Sequence, residues 1–298
     1  MKQLTFAVIT PSFNQGRFIE ETINSVLSQE IVELDYIIMD GGSNDETITI
    51  LEKYNNKLRY VSEKDKGQTD AVNKGIRNTH SDIIGWLNSD DIYVENALNT
   101  VLDFFSKHPD IDVVYGMADH IDVDGDFLEK YPTQEFDAVA LLSTCYISQP
   151  AVFFRRRVIE ECGLLDETLM YCMDYEYWIR LSQNKNIKFA HLPILLAATR
   201  LHVDTKTLGS TIKVHKEINN MLKKRIGYVP DRWLCNYAHV VLEKSVDRKK
   251  HPVRFVVGVS FSSIFASLRW NYKVSNAVVK MTLNWIYDAM KRKWKVRV

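Results

Sequence analysis

The sequence predicts an α/β protein: a Rossmann-like mixed sheet flanked by helices, followed by a helical C-terminal extension. Three observations carry that expectation. Up to about residue 120, short apolar runs alternate with segments of helical period, the pattern of βαβ units on a parallel sheet. The segment Asp122–Asp126, DVDGD, is a hairpin signal at which the sheet turns antiparallel. Residues 211–298 read as helical by composition, which divides the chain into a domain over 1–210 and an extension over 211–298.

FAVITPSF reads as the first strand. From Arg17 to Ser28, the residues Phe18, Ile19, Thr22, Ile23, Val26 and Leu27 share one face, which is helical spacing. LDYIIMD follows as a strand, and GGSNDETITILEKY gives a glycine-rich turn with polar caps leading into a helix. LRYVSE, GQTDAVNKGIRNTH and IIGWL then read as strand, helix and strand. Glu95 to His108 is a helix stopped by Pro109. DVVYGMADHI closes this half, FLEKY completes the hairpin, and QPAVFFRR leads to a helix near Asp174–Gln183 and the apolar FAHLPILLAATRLH.

Lys plus Arg equals Asp plus Glu at 38 each, so no global field favours nucleic acid and any basic surface must be local. Cys145, Cys162, Cys172 and Cys235 have no CxxC or CxxH spacing, so reduced thiols are expected rather than a zinc site or disulfide framework. The opening Met1-Lys2-Gln3 passes at once into LTFAVIT without the features of a secretory signal, so a cytoplasmic location is expected. About 14 uncharged residues separate Arg254 from Arg269, fewer than the roughly 20 that span a bilayer, and this stretch is expected not to cross. The C-terminal tail mixes Trp285, Ile286, Tyr287 and Trp294 with Lys and Arg. It suits an anionic membrane surface; a solvated basic end packed by its aromatics is the rival reading.

In an open α/β sheet, ligands collect outside the carboxyl ends of the strands. Four such ends are polar here: Thr10–Asn14, Asp40–Ser43, Glu63–Gln68 and Asn88–Asp91. There is no GxGxxG and no Walker lysine motif. Three acidic ends at one edge repel one another unless a cation or a ligand's donors lie between them. A nucleotide diphosphate satisfies both needs, its base and ribose donating to carboxylates such as Asp40 and its phosphates requiring Mg²⁺ or Mn²⁺ on oxygen ligands. The structural rivals are helix capping by Asp90 and Asp91 and a turn role for Asp40.

The segments TPSFNQGRFIEETINSVLSQ, DYIIMDGGSNDET, DKGQTDAVNKGI and WLNSDDIY, followed by QPAVFFRR, MDYEYWIRL and RLHVDTKT, resemble the family 2 glycosyltransferases of GT-A fold in order and spacing. The resemblance covers residues 4 to 208. It implies an inverting, metal-dependent transfer of a sugar from a nucleotide diphosphate-sugar, a UDP-sugar foremost, to a saccharide or lipid-linked saccharide in bacterial polysaccharide or lipopolysaccharide assembly. Thr10, Ser12 and Asn14 would lie along the nucleotide, Asp40 would accept from base or ribose, and Asp65, Gln68 and Asp70 would line the same pocket. Asn88 and Ser89 would contact the nucleotide-sugar, and Asp90, with Asp91 beside it, would hold the metal. Asn88 stands where the family often has Asp, which lowers the site's negative charge. His202 would approach the metal or phosphates, and Arg200 and Lys206 the phosphates. Asp174 falls at the family's catalytic base, with Met173 before it where Glu is common, and Glu176 is the rival base. Gln149 and Trp178 would bind the acceptor. Two other classes compete: a nucleotidyltransferase, which needs a basic glycine-rich loop where this chain has only Gly16 and Arg17, and a non-catalytic module that kept the fold.

Overall fold

A computed structural model describes residues 4–202 and 210–295. The chain forms two compact units, one of Met1–Ala138 with Cys145–Val203, the other of Val139–Thr144 with Asp204–Val298. The first holds nine strands: β1 (Phe6–Ser12), β2 (Leu34–Asp40), β3 (Arg59–Ser62), β4 (Ile83–Trp86), β5 (Ile92–Tyr93), β6 (Val113–Ile121), β7 (Phe127–Lys130), β8 (Val152–Arg155) and β9 (Phe189–Arg200). The helices up to this point are α1 (Ile19–Leu27), α2 (Thr47–Lys53), α3 (Gln68–Arg77), α4 (Ala97–Lys107), α5 (Ala138–Ser143), α6 (Arg157–Cys162) and α7 (Met173–Ser182).

The strands form one sheet in the order β3-β2-β1-β4-β8-β6-β9-β5, with β7 paired to β6. β1 is buried along its whole length, as a parallel strand covered on both faces must be, and this is why its sequence is a continuous apolar run. On one face, Ile19, Ile23 and Val26 of α1 pack with Phe6 and Val8. α3 lies so close to β1 that a Cβ at Gly75 would sit 2.3 Å from Ile9 Cγ2.

Strand direction decides what this sheet can do. β3, β2, β1 and β4 run parallel. β8 is antiparallel to both β4 and β6, and β6 is parallel to β9. Two reversals restore the direction, so the carboxyl end of β9 lies on the same edge as those of β1, β2 and β4. The register carries this to single residues: Ser12 is opposite Asp40, and Asp40 opposite Ser62. β5, absent from the sequence expectation, pairs Ile92 and Tyr93 with Ala198 and Ala197 of β9; two residues are too few to show a period.

The second unit contains α8 (Thr211–Ile226), α9 (Asp231–Glu243), α10 (Pro252–Asn271) and α11 (Asn276–Lys295). Ala238, Val246, Phe255 and Val259 form its small core, with Leu242 and Trp285 packed against them. The length argument against a crossing is corrected here. α10 runs 20 residues, long and apolar enough by length and composition to cross a bilayer, and one of its faces is buried within the protein. The charged ends extend the helix beyond the uncharged stretch.

Candidate active site

At the end of β2 the chain must turn sharply, and Gly42 takes the left-handed φ of +83° that the turn needs. Asp40 organises this turn. Its Oδ2 accepts the N–H groups of Gly42 (3.0 Å) and Ser43 (2.9 Å) and the Ser62 hydroxyl (2.7 Å), and its Oδ1 accepts the Ser43 hydroxyl at 2.5 Å. The loop after β1 is pinned to the same turn: Ser43 Oγ accepts Asn14 N–H at 2.7 Å, Asn14 Oδ1 accepts Asn44 N–H at 2.9 Å, and Asp45 accepts Gly16 N–H at 2.9 Å. Ser12 Oγ, beside Asp40 in register, is buried with no hydrogen-bond partner among the described residues. A buried hydroxyl in that state is under-satisfied unless a ligand or water reaches it.

After β4, Asn88 is a hub. Its Oδ1 accepts Gln68 Nε2 (2.6 Å) and Trp86 Nε1 (2.9 Å), while its Nδ2 donates to Asp91 Oδ2 (3.0 Å) and Gln149 Oε1 (2.9 Å). All four hydrogen-bonding positions of the amide are used. This gives the physical reason for Asn where Asp is common: a carboxylate cannot donate to Asp91 and Gln149, and would face Asp91 as a like charge. Asn88→Asp is expected to destabilise the protein by roughly 1–3 kcal/mol at neutral pH. The loss should shrink at acid pH, where protonation removes the repulsion; denaturant melts at two pH values read it.

Asp91 is 2% exposed. Its Oδ1 accepts the Arg200 backbone N–H at 3.1 Å and its Oδ2 the Asn88 amide. Burial, then the neighbouring Asp90 carboxylate, pushes its titration well above the usual range, with the bonds from Arg200 and Asn88 pulling back. Asp90 is more open, and its Oδ2 lies 3.0 Å from His202 Nε2. The His202 ring rests on Phe18, centroids 5.0 Å apart.

Arg200 is buried and completes the construction. Nε donates to the Asp90 carbonyl (3.1 Å), NH1 to the carbonyls of Asp122 (2.9 Å) and Val123 (3.2 Å), and NH2 to Glu21 Oε2 (2.5 Å), with the guanidinium over Phe18. Nothing in the sequence points to a site role for Glu21, Phe18 or Asp45. Glu21 is exposed and Asp45 half-buried, positions where a polar residue is ordinary, and Phe18 is buried on the apolar face of the first helix, where a ring reads as core.

Asp174 opens α7 and is half-buried. Burial pushes its carboxyl up to about 6, opposed by N–H groups of the first helical turn. Its charge is felt by Cys145, whose thiol is pushed up to about 12, chiefly by burial, and by the raised Tyr131. Cys145 precedes Gln149 of the Asn88 hub by four residues, a chain reach of at most about 14 Å. Glu176, the rival base, is fully buried and paired with Arg180 at 3.1 and 3.0 Å. It is a structural ion pair.

Several expected contacts are corrected. Arg200 was expected at the phosphates, but each of its nitrogens already donates within the protein. Trp178 was expected to stack on an acceptor; it is 1% exposed, in the core against Tyr177. Gln149, also expected at the acceptor, uses its amide on the Trp86 carbonyl (2.5 Å) and Asn88. Thr10 is wholly buried with its hydroxyl 3.3 Å from Tyr36, not exposed along a ligand. Asp40 and Asn14 hold the turn rather than presenting open oxygens. Asp70 accepts Lys66 N–H and pairs with Lys74 at 3.3 Å, and these bonds lower its titration against the opposing effect of burial. Asp91 faces inward instead of standing beside Asp90 as a second ligand. Asp65 accepts Gly67 N–H at 2.8 Å, and its other oxygen overhangs Gly41, where a Cβ would lie 2.9 Å away. Gln68 joins the hub, and Ser89 is buried between it and Asp90. Lys206 lies outside the described residues.

This mixed α/β sheet, whose polar strand ends gather at one edge, has the GT-A fold, the fold of nucleotide-sugar glycosyltransferases. The chain belongs to glycosyl transferase family 2, whose family model matches residues 7–163. An uncharacterized glycosyltransferase of Rickettsia typhi is 28% identical over 234 residues, 73% of this chain and 71% of that protein. Chondroitin synthase from Escherichia coli is 29% identical over 180 residues, 59% of this chain but only 26% of the synthase. Among solved structures, S. aureus TarS in complex with UDP-GlcNAc superposes with a TM-score of 0.60 at 17% identity, covering 88% of this chain and 81% of that one. The mannosyltransferase PcManGT from Pyrobaculum calidifontis, in complex with GDP-Man and Mn²⁺, gives 0.59 at 13% identity, covering 99% and 84%.

Proposed function

We propose that the domain over residues 1–210 transfers a sugar, with inversion, from a nucleotide diphosphate-sugar to an acceptor hydroxyl, with Asp174 as base and a divalent cation at Asp90 and His202. The observation that carries this reading is the Asp90–His202 pair, held by Arg200 at the edge where the parallel strands end. Among the described residues no three His, Cys, Asp or Glu gather in one metal-binding group. The two-residue donor set nonetheless fits a cation whose other ligands are phosphate oxygens and water. Asp90 and His202 would hold such a cation, the carboxylate supplying an oxygen and the imidazole a nitrogen, with their side chains adjacent in the fold. When bound, such a cation supplies Lewis-acid neutralisation of the departing diphosphate.

The remaining steps belong to the chain itself. Ser12, with its unpartnered hydroxyl, and the loops pinned by Asp40 and Asn14 bound the nucleotide, while Asp65, Gln68 and Ser89 border the same edge. Asp174 takes the acceptor hydroxyl's proton as that oxygen bonds to the anomeric carbon. The bond from that carbon to the diphosphate breaks on the opposite face. UDP-GlcNAc on TarS supports a UDP-sugar donor, and the synthase relatives support a saccharide or lipid-linked acceptor in polysaccharide assembly on the cytoplasmic side.

Melting in a panel of nucleotide-sugars with and without Mn²⁺ tests the reading. The cognate donor with Mn²⁺ is expected to add about 2.7 kcal/mol at a hundred times its Kd. EDTA or Asp90→Ala should remove most of that gain, each read against the same protein's own ligand-free melt. Stabilisation by every donor that is indifferent to EDTA and to Asp90→Ala refutes the metal role.

A further inference from the structure

α10 has two apolar faces, one turned inward and one outward. Its inward face carries Phe255, Val259 and Trp270 together with Ser260, Ser263 and Ser267, each serine donating to a backbone carbonyl of its own helix at 2.8–2.9 Å. A second set of large apolar side chains points outward: Phe261 is 68% and Phe265 65% exposed, and Leu268 continues the same stripe. On α11, Val279, Leu283 and Met290 repeat the arrangement at helical spacing, with Leu283 60% exposed. Two exposed apolar stripes of this size, left outside a core that is already formed, mark a binding surface.

Charge identifies what it binds. Residues 251–298 contain nine of the chain's 38 Lys/Arg and one of its 38 Asp/Glu. In a chain neutral overall, the segment that bears the apolar stripes is therefore strongly net positive, because it is nearly free of acidic residues. The aromatic ends are paired with cations as well: Lys223 lies 4.8 Å over the Tyr272 ring and Lys291 4.6 Å over Tyr287. Exposed apolar stripes beside Lys and Arg match the interface of an anionic bilayer, apolar chains entering the acyl boundary and cations meeting the headgroups. We propose that the α10–α11 hairpin lies on an anionic phospholipid surface, seated by Phe261, Phe265, Leu268 and Leu283. It lies on that surface rather than spanning it, because the serine face of α10 is committed to protein packing. The inference is independent of the transfer chemistry proposed above, and it moves the contact from Trp285, which packs inward on His239, to the outward stripes.

The test is co-sedimentation of the full chain with phosphatidylcholine vesicles and with vesicles containing phosphatidylglycerol. Binding to the anionic vesicles is expected to be about tenfold tighter or more, and to weaken in about 0.5 M salt. Phe261→Ser with Phe265→Ser should reduce it by about tenfold or more with an unchanged melting curve, since both rings are exposed. Three results overturn the proposal: no binding to either vesicle, equal binding to both, or a concentration-dependent dimer that the double substitution abolishes, which assigns the face to a second copy of the chain.

Discussion

Asp174→Asn is expected to lower kcat by about 10²–10⁴-fold while nucleotide-sugar binding, read by thermal shift, stays intact. The amide keeps the shape of the carboxyl and loses only its ability to take a proton. Because burial holds the Asp174 carboxyl up at about 6, wild-type kcat should climb as pH rises through about 6 and level off above it. A general base works only when ionised, so the limb falls toward acid. In Asp174→Asn that limb should vanish. Full activity in the variant refutes the base assignment, whereas abolished donor binding indicates a structural role. A protein that binds donor but never turns over, in wild type as in variant, is the non-catalytic module.

Removing the buried guanidinium at Arg200 should have the largest effect on stability. Arg200→Met leaves the Asp90, Asp122 and Val123 carbonyls without their donor and Glu21 without its partner, and is expected to cost about 3–5 kcal/mol. For a chain of this size that is a drop in Tm of roughly 6–20 °C. Glu21→Gln provides the contrast. The Glu21 side chain is half exposed, so the pair's charge is screened from that side and its loss should cost about 1 kcal/mol or less. If Arg200 instead met the phosphates, Arg200→Met would leave the ligand-free Tm unchanged and weaken donor binding alone.

Asn88 shows how far a residue's type can be read without its neighbours. From the chain alone, an amide in place of a carboxylate signals less charge and weaker metal binding. In the folded protein it joins Gln68, Trp86, Asp91 and Gln149, partners up to 61 positions away. Arg200 and Trp178 show the converse. Both are residue types suited to phosphate and sugar, and both are buried, because nothing local distinguishes an arginine facing ligand from one bracing four carbonyl and carboxylate oxygens. Glu176 and Asp174, two residues apart on one helix, are separated only by Arg180, which pairs with the first.

The sequence by itself determined the longer strands and helices of the first half, the polar character of the strand ends and the family, since each is written in contiguous residues: apolar runs of period two or 3.6 and motifs at fixed spacing. Tertiary structure decided which polar ends remain open. Long-range pairing brings β9 alongside β6, sets His202 against Asp90, and turns Asp91, Asp70 and Arg200 into the protein. Hydrogen-bond capacity is finite, so a carboxylate or guanidinium that folding has already satisfied is no longer free for a ligand, and no local pattern records who its partners will be.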